Sequence, residues 1–307
     1  MNDIQKAIDK AVNNNRLDIL MFLHKRNKYP YLWTSYTCEI AARKGYINCL
    51  KYLHENGCHF SEKTCSVAAE NGHLECLKYA HENGCIWNNE TCCRAVYNNH
   101  INCLKYAHEN GCPWDEWICI YSVGNGNLEC LKYAHENGCP WGEDTSSEAA
   151  SSGNLECLKY AHENGCPWNE WTCDKAAENG HLECLKYAHK NGCIWDKKTC
   201  SNAAENGHLE CLKYAHENGC PWSTNTCYLA AFHGHFECLK YAYENGCPYP
   251  KEIFSIIIKK ILIPKWRDSV KIRPYIFHWM EDTAKTLYAE NKRGRKSDYD
   301  TFVKDFQ

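Results

Sequence analysis

The chain has 307 residues, room for one large domain or two ordinary ones, and a formal net charge of −3. Charge so close to neutral excludes a global electrostatic pull toward nucleic acid or an acidic membrane surface. The balance is uneven: residues 250–307 carry 13 Lys/Arg against 8 Asp/Glu, or +5, which leaves −8 on the first 249 residues.

The opening residues, MNDIQKAIDKAVNNN, lack the basic start and apolar run of a signal peptide. The longest aliphatic stretch, IFSIIIKKILI, is interrupted by Lys259 and Lys260 and falls short of a membrane span. A cytoplasmic protein is the expectation, so the 24 cysteines are expected as thiols. Repetition begins early. The segment LDILMFLHKRN (17–27) matches residues 47–57 at a spacing of 30. Then Cys49, Cys76, Cys103, Cys130, Cys157, Cys184, Cys211 and Cys238 each open the phrase CLKY, always 27 residues apart. A degraded first copy is thus followed by eight in strict register, the mark of a solenoid.

One copy, residues 64–90, reads TCSVAAENGHLECLKYAHENGCIWNNE. Thr64 is placed to N-cap a short helix running through Ala68 and Ala69. Asn71 and Gly72 break it, because glycine tolerates the left-handed backbone of a tight turn. A second helix is predicted over 74–83. There Leu74, Cys76, Leu77 and Ala80 form an apolar stripe, with Glu75, Lys78 and Glu82 as ion pairs on the other side. Gly84 is placed to end it in the left-handed conformation. Helices below about 12 residues are marginal alone in water, so each copy must cover the apolar face of its neighbour.

The pattern T-C-x-x-A-A-x-N-G-H-L-E-C-L-K-Y-x-x-x-x-G-C resembles the T-P-L-H-x-A-A-x-x-G-H-x-x-V-V-x-L-L-x-x-G-A pattern of ankyrin repeats, at Thr64, Ala68, Ala69, Gly72, His73, Cys76, Leu77, Tyr79, Gly84 and Cys85. The likeness extends over residues 4–250. It implies an all-α, helix-turn-helix solenoid with a non-enzymatic, protein-binding role. The period is 27 rather than about 33, and the shortfall lies between Cys85 and Thr91, where that family builds its β-hairpin fingers; short or absent fingers are expected. Cysteine replaces the family's proline. Short cysteine-rich copies of this kind look most like ankyrin-like arrays of giant DNA viruses, which would place the chain in the host cytoplasm, with the nucleus as the alternative, and make its partner a host protein.

Recurrent residues are read as servants of the stack. The cysteines fall in three phases (Cys65, Cys76 and Cys85 in the sample copy), without the close pairs of a zinc site. Packing as small buried groups is therefore preferred to metal binding, which is kept as an alternative. Stacked helices lie about 8–10 Å apart, whereas a disulfide wants Cα atoms within roughly 4.4–6.8 Å. This argues against same-phase disulfides and leaves cross-phase pairs open. Ser146 replaces the first-phase cysteine in one copy. Histidine recurs at His54, His81, His108, His135, His162, His189 and His216, expected as a partly exposed packing or hydrogen-bonding group. Trp87, Trp114, Trp141, Trp168, Trp195 and Trp222 are expected to seal the joints between copies rather than to stack bases. No catalytic constellation and no cofactor are expected.

Copies differ most between the repeats and in the first helix, and binding is expected there. The candidate partner-binding residues are Asp115, Glu116 and Trp117; Glu143 and Asp144; Asn169, Glu170 and Trp171; and Lys197 and Lys198. The pairs after each Thr-Cys, such as Ser66-Val67, Cys93-Arg94, Asp174-Lys175 and Tyr228-Leu229, are read as part of the same tunable surface. The partner is an unidentified protein, not a membrane and not nucleic acid, bound by a monomer. Residues 251–307 leave the repeat as a helical cap and tail. There Pro250, Glu252 and Ile253 faintly resemble the start of an F-box, which gives a second reading as a ubiquitin-ligase adaptor. Lys292, Arg293, Arg295 and Lys296 form a basic cluster that fits either a solvated run or a nuclear-import signal.

Overall fold

A computed structural model of the chain describes residues 3–26 and 33–250, with Ile253 and Asp282. These residues hold eighteen α-helices and no strand, so no β-hairpin finger occurs among them. The chain divides into two compact units, Met1–Thr145 and Ser146–Gln307. The first contains α1 (Asp3–Asn13), α2 (Leu17–Arg26), α3 (Ser35–Arg43), α4 (Ile47–Glu55), α5 (Glu62–Glu70), α6 (Leu74–Glu82), α7 (Asn89–Tyr97), α8 (Ile101–Glu109), α9 (Trp117–Gly124) and α10 (Leu128–Glu136). The boundary falls inside α11 (Glu143–Ser151). The second unit continues with α12 (Leu155–Glu163), α13 (Glu170–Glu178), α14 (Leu182–Lys190), α15 (Lys197–Glu205), α16 (Leu209–Glu217), α17 (Thr224–His233) and α18 (Phe236–Glu244). Apart from Pro250, Ile253 and Asp282, the predicted cap, the F-box-like match and the basic cluster lie outside the described residues. Ile253 is buried, its N–H donating to the Pro250 carbonyl.

Each helix is about nine residues long, too short to persist alone. In the first unit, odd-numbered helices pack on their even partners and on the odd-numbered helix of the next copy; the even helices do the same among themselves. The second unit repeats this arrangement from α12 to α18. The core is the predicted stripe, narrowed: Cys76, Leu77 and Ala80 are buried, while Leu74 is only half-buried. From the other helix of the copy, Ala68 and Ala69 close against it. Such small side chains let the helices approach, and removing that much apolar surface from water drives the stacking.

Two local expectations meet different outcomes. Gly72 and Gly84 both have positive φ, at 73° and 86°, as the turns require. Thr64, however, is not the N-cap. The first helix begins two residues earlier, at Glu62, with Ser61 as its cap; Thr64 sits one turn in, fully buried, its hydroxyl accepting from the Ser61 N–H at 3.1 Å. The residues after the tryptophan offer polar caps already, so helix growth starts there.

Candidate functional site

The earlier helix start changes what the variable residues do. In the first unit Asn88 accepts from the Glu90 N–H at 3.1 Å, and Asp115 accepts from the Trp117 N–H at 3.2 Å. In the second, Asn169 accepts from the Trp171 N–H at 3.0 Å and Asp196 from the Lys198 N–H at 2.6 Å. The residues read as a loop are therefore a helix cap followed by its first turn. Capping fixes the backbone, and the following side chains then project from a rigid end. Of the ten candidate residues, Asn169 is a helix cap, and Asp115, just ahead of the Glu116 cap, accepts from the first helical N–H. Glu116, Trp117, Glu143, Asp144, Glu170, Trp171, Lys197 and Lys198 are exposed.

In the first unit several of them converge. Glu116, Glu143 and Asp144 line one open cleft of about 410 Å³ with Ile120, Pro140, Trp141, Gly142 and Thr145. Three acidic residues thus share the cleft with the apolar Ile120, Pro140 and Trp141. Beside it Trp117, expected from the sequence, gathers two rings that were not, Tyr121 and Tyr97. Trp117, 49% exposed, lies 5.7 Å from Tyr121 between ring centroids, and Tyr121 meets the edge of Tyr97 at 6.0 Å. Their signal was present, since the copy before each places a charged residue there: Glu90 for Trp117, Arg94 for Tyr121 and Glu70 for Tyr97. In the second unit Trp171 is 51% exposed, and the Lys198 ammonium sits 5.5 Å from its ring centroid, a cation–π contact. Nearby, Tyr228 stacks on exposed Phe232 at 5.9 Å.

The pairs after each Thr-Cys fit the tunable-surface reading only in part. Ser66, Val67 and Asp174 are buried, whereas Cys93, Arg94, Lys175, Tyr228 and Leu229 are half-buried. Burial removes these three from the surface open to a partner. Asp174 accepts a hydrogen bond from the Thr199 hydroxyl, and burial pushes its carboxyl up to about 6.

The recurrent rings interlock. His81 stacks flat on Trp87, 3.5 Å between centroids, and both meet the edge of Tyr106 in the next copy at 6.1 Å. His189, Trp195 and Tyr214 repeat the triad in the second unit. In some copies the imidazole Nδ1 also contacts the next tyrosine hydroxyl, at 2.9 Å for His108 and Tyr133 and 3.1 Å for His189 and Tyr214. His81 Nδ1, by contrast, is buried without a hydrogen bond among the described residues. Tryptophan thus seals the joint, as its fixed phase implied, with histidine as its partner. Burial lowers the basicity of His81, His108 and His189. Among the described residues no group of three or more His, Cys, Asp or Glu is placed to hold a metal ion, and no helix is long and apolar enough to cross a membrane.

Residues 147–189 and 200–245 match the family model described as ankyrin repeats (many copies). Among solved structures, the crystal structure of the human ASB11 ankyrin repeat domain is similar to this chain at 20% identity and a TM-score of 0.46, covering 52% of this chain and 84% of that one. The comparison with curated proteins gives no match.

Proposed function

We propose, from the ankyrin repeats of residues 147–189 and 200–245, that the chain is a non-enzymatic scaffold binding a partner protein through the capped edge of its first helices. One observation carries the reading. The side chains that differ between copies and stay exposed gather in the first unit into an acidic cleft flanked by Trp117, Tyr121 and Tyr97. Exposed aromatic rings beside charged rims suit a protein interface, where a few such anchors carry most of the affinity. Trp171 and Lys198 offer a second contact in the other unit.

The test is capture of partners from the native cell by the full chain and by a variant carrying Trp117→Ala and Trp171→Ala. Loss of one such anchor typically costs about 2 kcal/mol, roughly a thirtyfold weakening. The variant should therefore lose its captured protein while keeping its melting temperature within a few degrees. An unchanged capture profile overturns the assignment of the site.

A further inference from the structure

The stack uses its thiols as small apolar groups, yet it also brings them together in pairs. First-phase and third-phase cysteines of one copy, twenty residues apart, lie side by side. In the first unit Cys65 is paired with Cys85 and Cys92 with Cys112, and in the second Cys173 with Cys193, each thiol shifting the acidity of its partner. The Cys173 sulfur is 3.9 Å from the Cys193 carbonyl, while the Cys193 sulfur points 3.1 Å to the Asn169 carbonyl at the cap of the same copy. The copy in which serine replaces the first-phase cysteine shows the spacing of the two positions directly, with Ser146 Oγ 3.3 Å from Cys166 Sγ. All these cysteines are free thiols.

We propose that each such pair is an oxidative modification site that reacts with a small-molecule disulfide, such as oxidised glutathione, to close a cross-link within its own copy. The third-phase sulfur attacks first. The partner thiol favours its thiolate, holding Cys85, Cys112 and Cys193 below the ordinary thiol range, and the thiolate is the nucleophile. Its own side chain is buried, 4% exposed for Cys85 and Cys193, but the next residue along the turn, Ile86 or Ile194, is strongly exposed, so a local opening of that turn is what admits the small disulfide. Attack of the thiolate on the glutathione disulfide forms a mixed disulfide and releases one glutathione thiol. The first-phase thiol, deprotonated as it attacks, then displaces the second glutathione thiol. Two protein thiols and one small disulfide thus become one protein disulfide and two small thiols. Because the two positions come within 3.3 Å of each other in the serine copy, closing the bond takes side-chain rotation, with loss of the third-phase thiol's hydrogen bond to the cap carbonyl. The product ties the first helix of a copy to the turn after its second.

The experiment is incubation of the native full chain with oxidised glutathione, acid quench, alkylation of the remaining thiols and non-reducing peptide mapping by mass spectrometry. The expected map shows Cys65 linked to Cys85, Cys92 to Cys112 and Cys173 to Cys193, two alkylatable thiols disappearing per link. Cys166 should carry no protein cross-link. Ser146→Cys should then add one link to Cys166 and leave the other copies unchanged. Glutathione adducts without internal links, links between same-phase cysteines, or links between copies would each overturn the proposal, and the wild-type map decides even if Ser146→Cys fails to fold.

Discussion

At Asp174 one carboxyl group reports how far a repeat can vary before the stack objects. It stands where other copies place Ser66 or Cys93, but the fold buries it and hands it the Thr199 hydroxyl. Its folded pKa, about 6, lies above its ordinary 3.8. The folded state therefore holds this proton more tightly. Its stabilising contribution is complete below about pH 4 and is lost as pH rises through 6. Asp174→Asn keeps an acceptor for Thr199 and removes the buried charge. It should raise stability above pH 6 by on the order of 1–2 kcal/mol and lose that advantage near pH 4, read by thermal melts across that range. An equal gain at all pH values would show that the charge is not the cause. The sequence placed Asp174 among tunable residues because periodicity marks which positions vary, not which face the neighbouring helix.

The turn inside each helix pair joins two demands at one residue. Gly72 has φ of 73°, and a Cβ built there would lie 2.6 Å from the His100 ring of the next copy. Gly84 has φ of 86° with nothing within 4 Å of such a Cβ. Both positions penalise a side chain through the left-handed backbone, but only Gly72 adds a clash. Gly72→Ala should therefore cost about 1–3 kcal/mol more than Gly84→Ala in denaturant unfolding. The chain contains its own rescue. Asn99 takes the glycine position with φ of 60°, and there the facing residue is Asn127 rather than histidine, its amide donating to the Val96 carbonyl at 2.6 Å. Adding His100→Asn to Gly72→Ala should recover part of the loss; no recovery would refute the ring as its source. Gly72 as a turn was legible from the Asn-Gly pair, whereas its contact with His100 was not, because it joins residues of different copies.

Across the two units the histidines set a common response to acid. Burial holds His81, His108, His189, His73 and His235 below the ordinary 6.5, so all are neutral in the fold at pH 7. With folded values depressed, their contribution is present above 6.5 and lost as pH falls through the folded values. Melting temperature should drop between pH 7.5 and 5 in the Asp174→Asn chain, which removes the opposite trend from Asp174. Replacing His81 and His108 by glutamine should lower the melting temperature at neutral pH by removing the stacks on Trp87 and Trp114, yet flatten its fall in acid. A slope unchanged by the double replacement would assign the acid response to other groups.

By itself the sequence determined the helix pairs, their turns at glycine, the stripe of Cys76, Leu77 and Ala80, and the need to stack. All of these follow from contacts within one copy, or from identical copies meeting in identical ways, and a strict period of 27 exposes both. Only the tertiary structure decided that helices start at Glu62 rather than at Thr64, that Asp174 is buried, that Glu116, Glu143 and Asp144 share a cleft, and that Cys65 is paired with Cys85. The helix start was settled locally, by which of two polar residues captures the cap; the other three depend on how residues some twenty or more positions apart come to rest in space, and backbone packing sets that distance, not spacing along the chain.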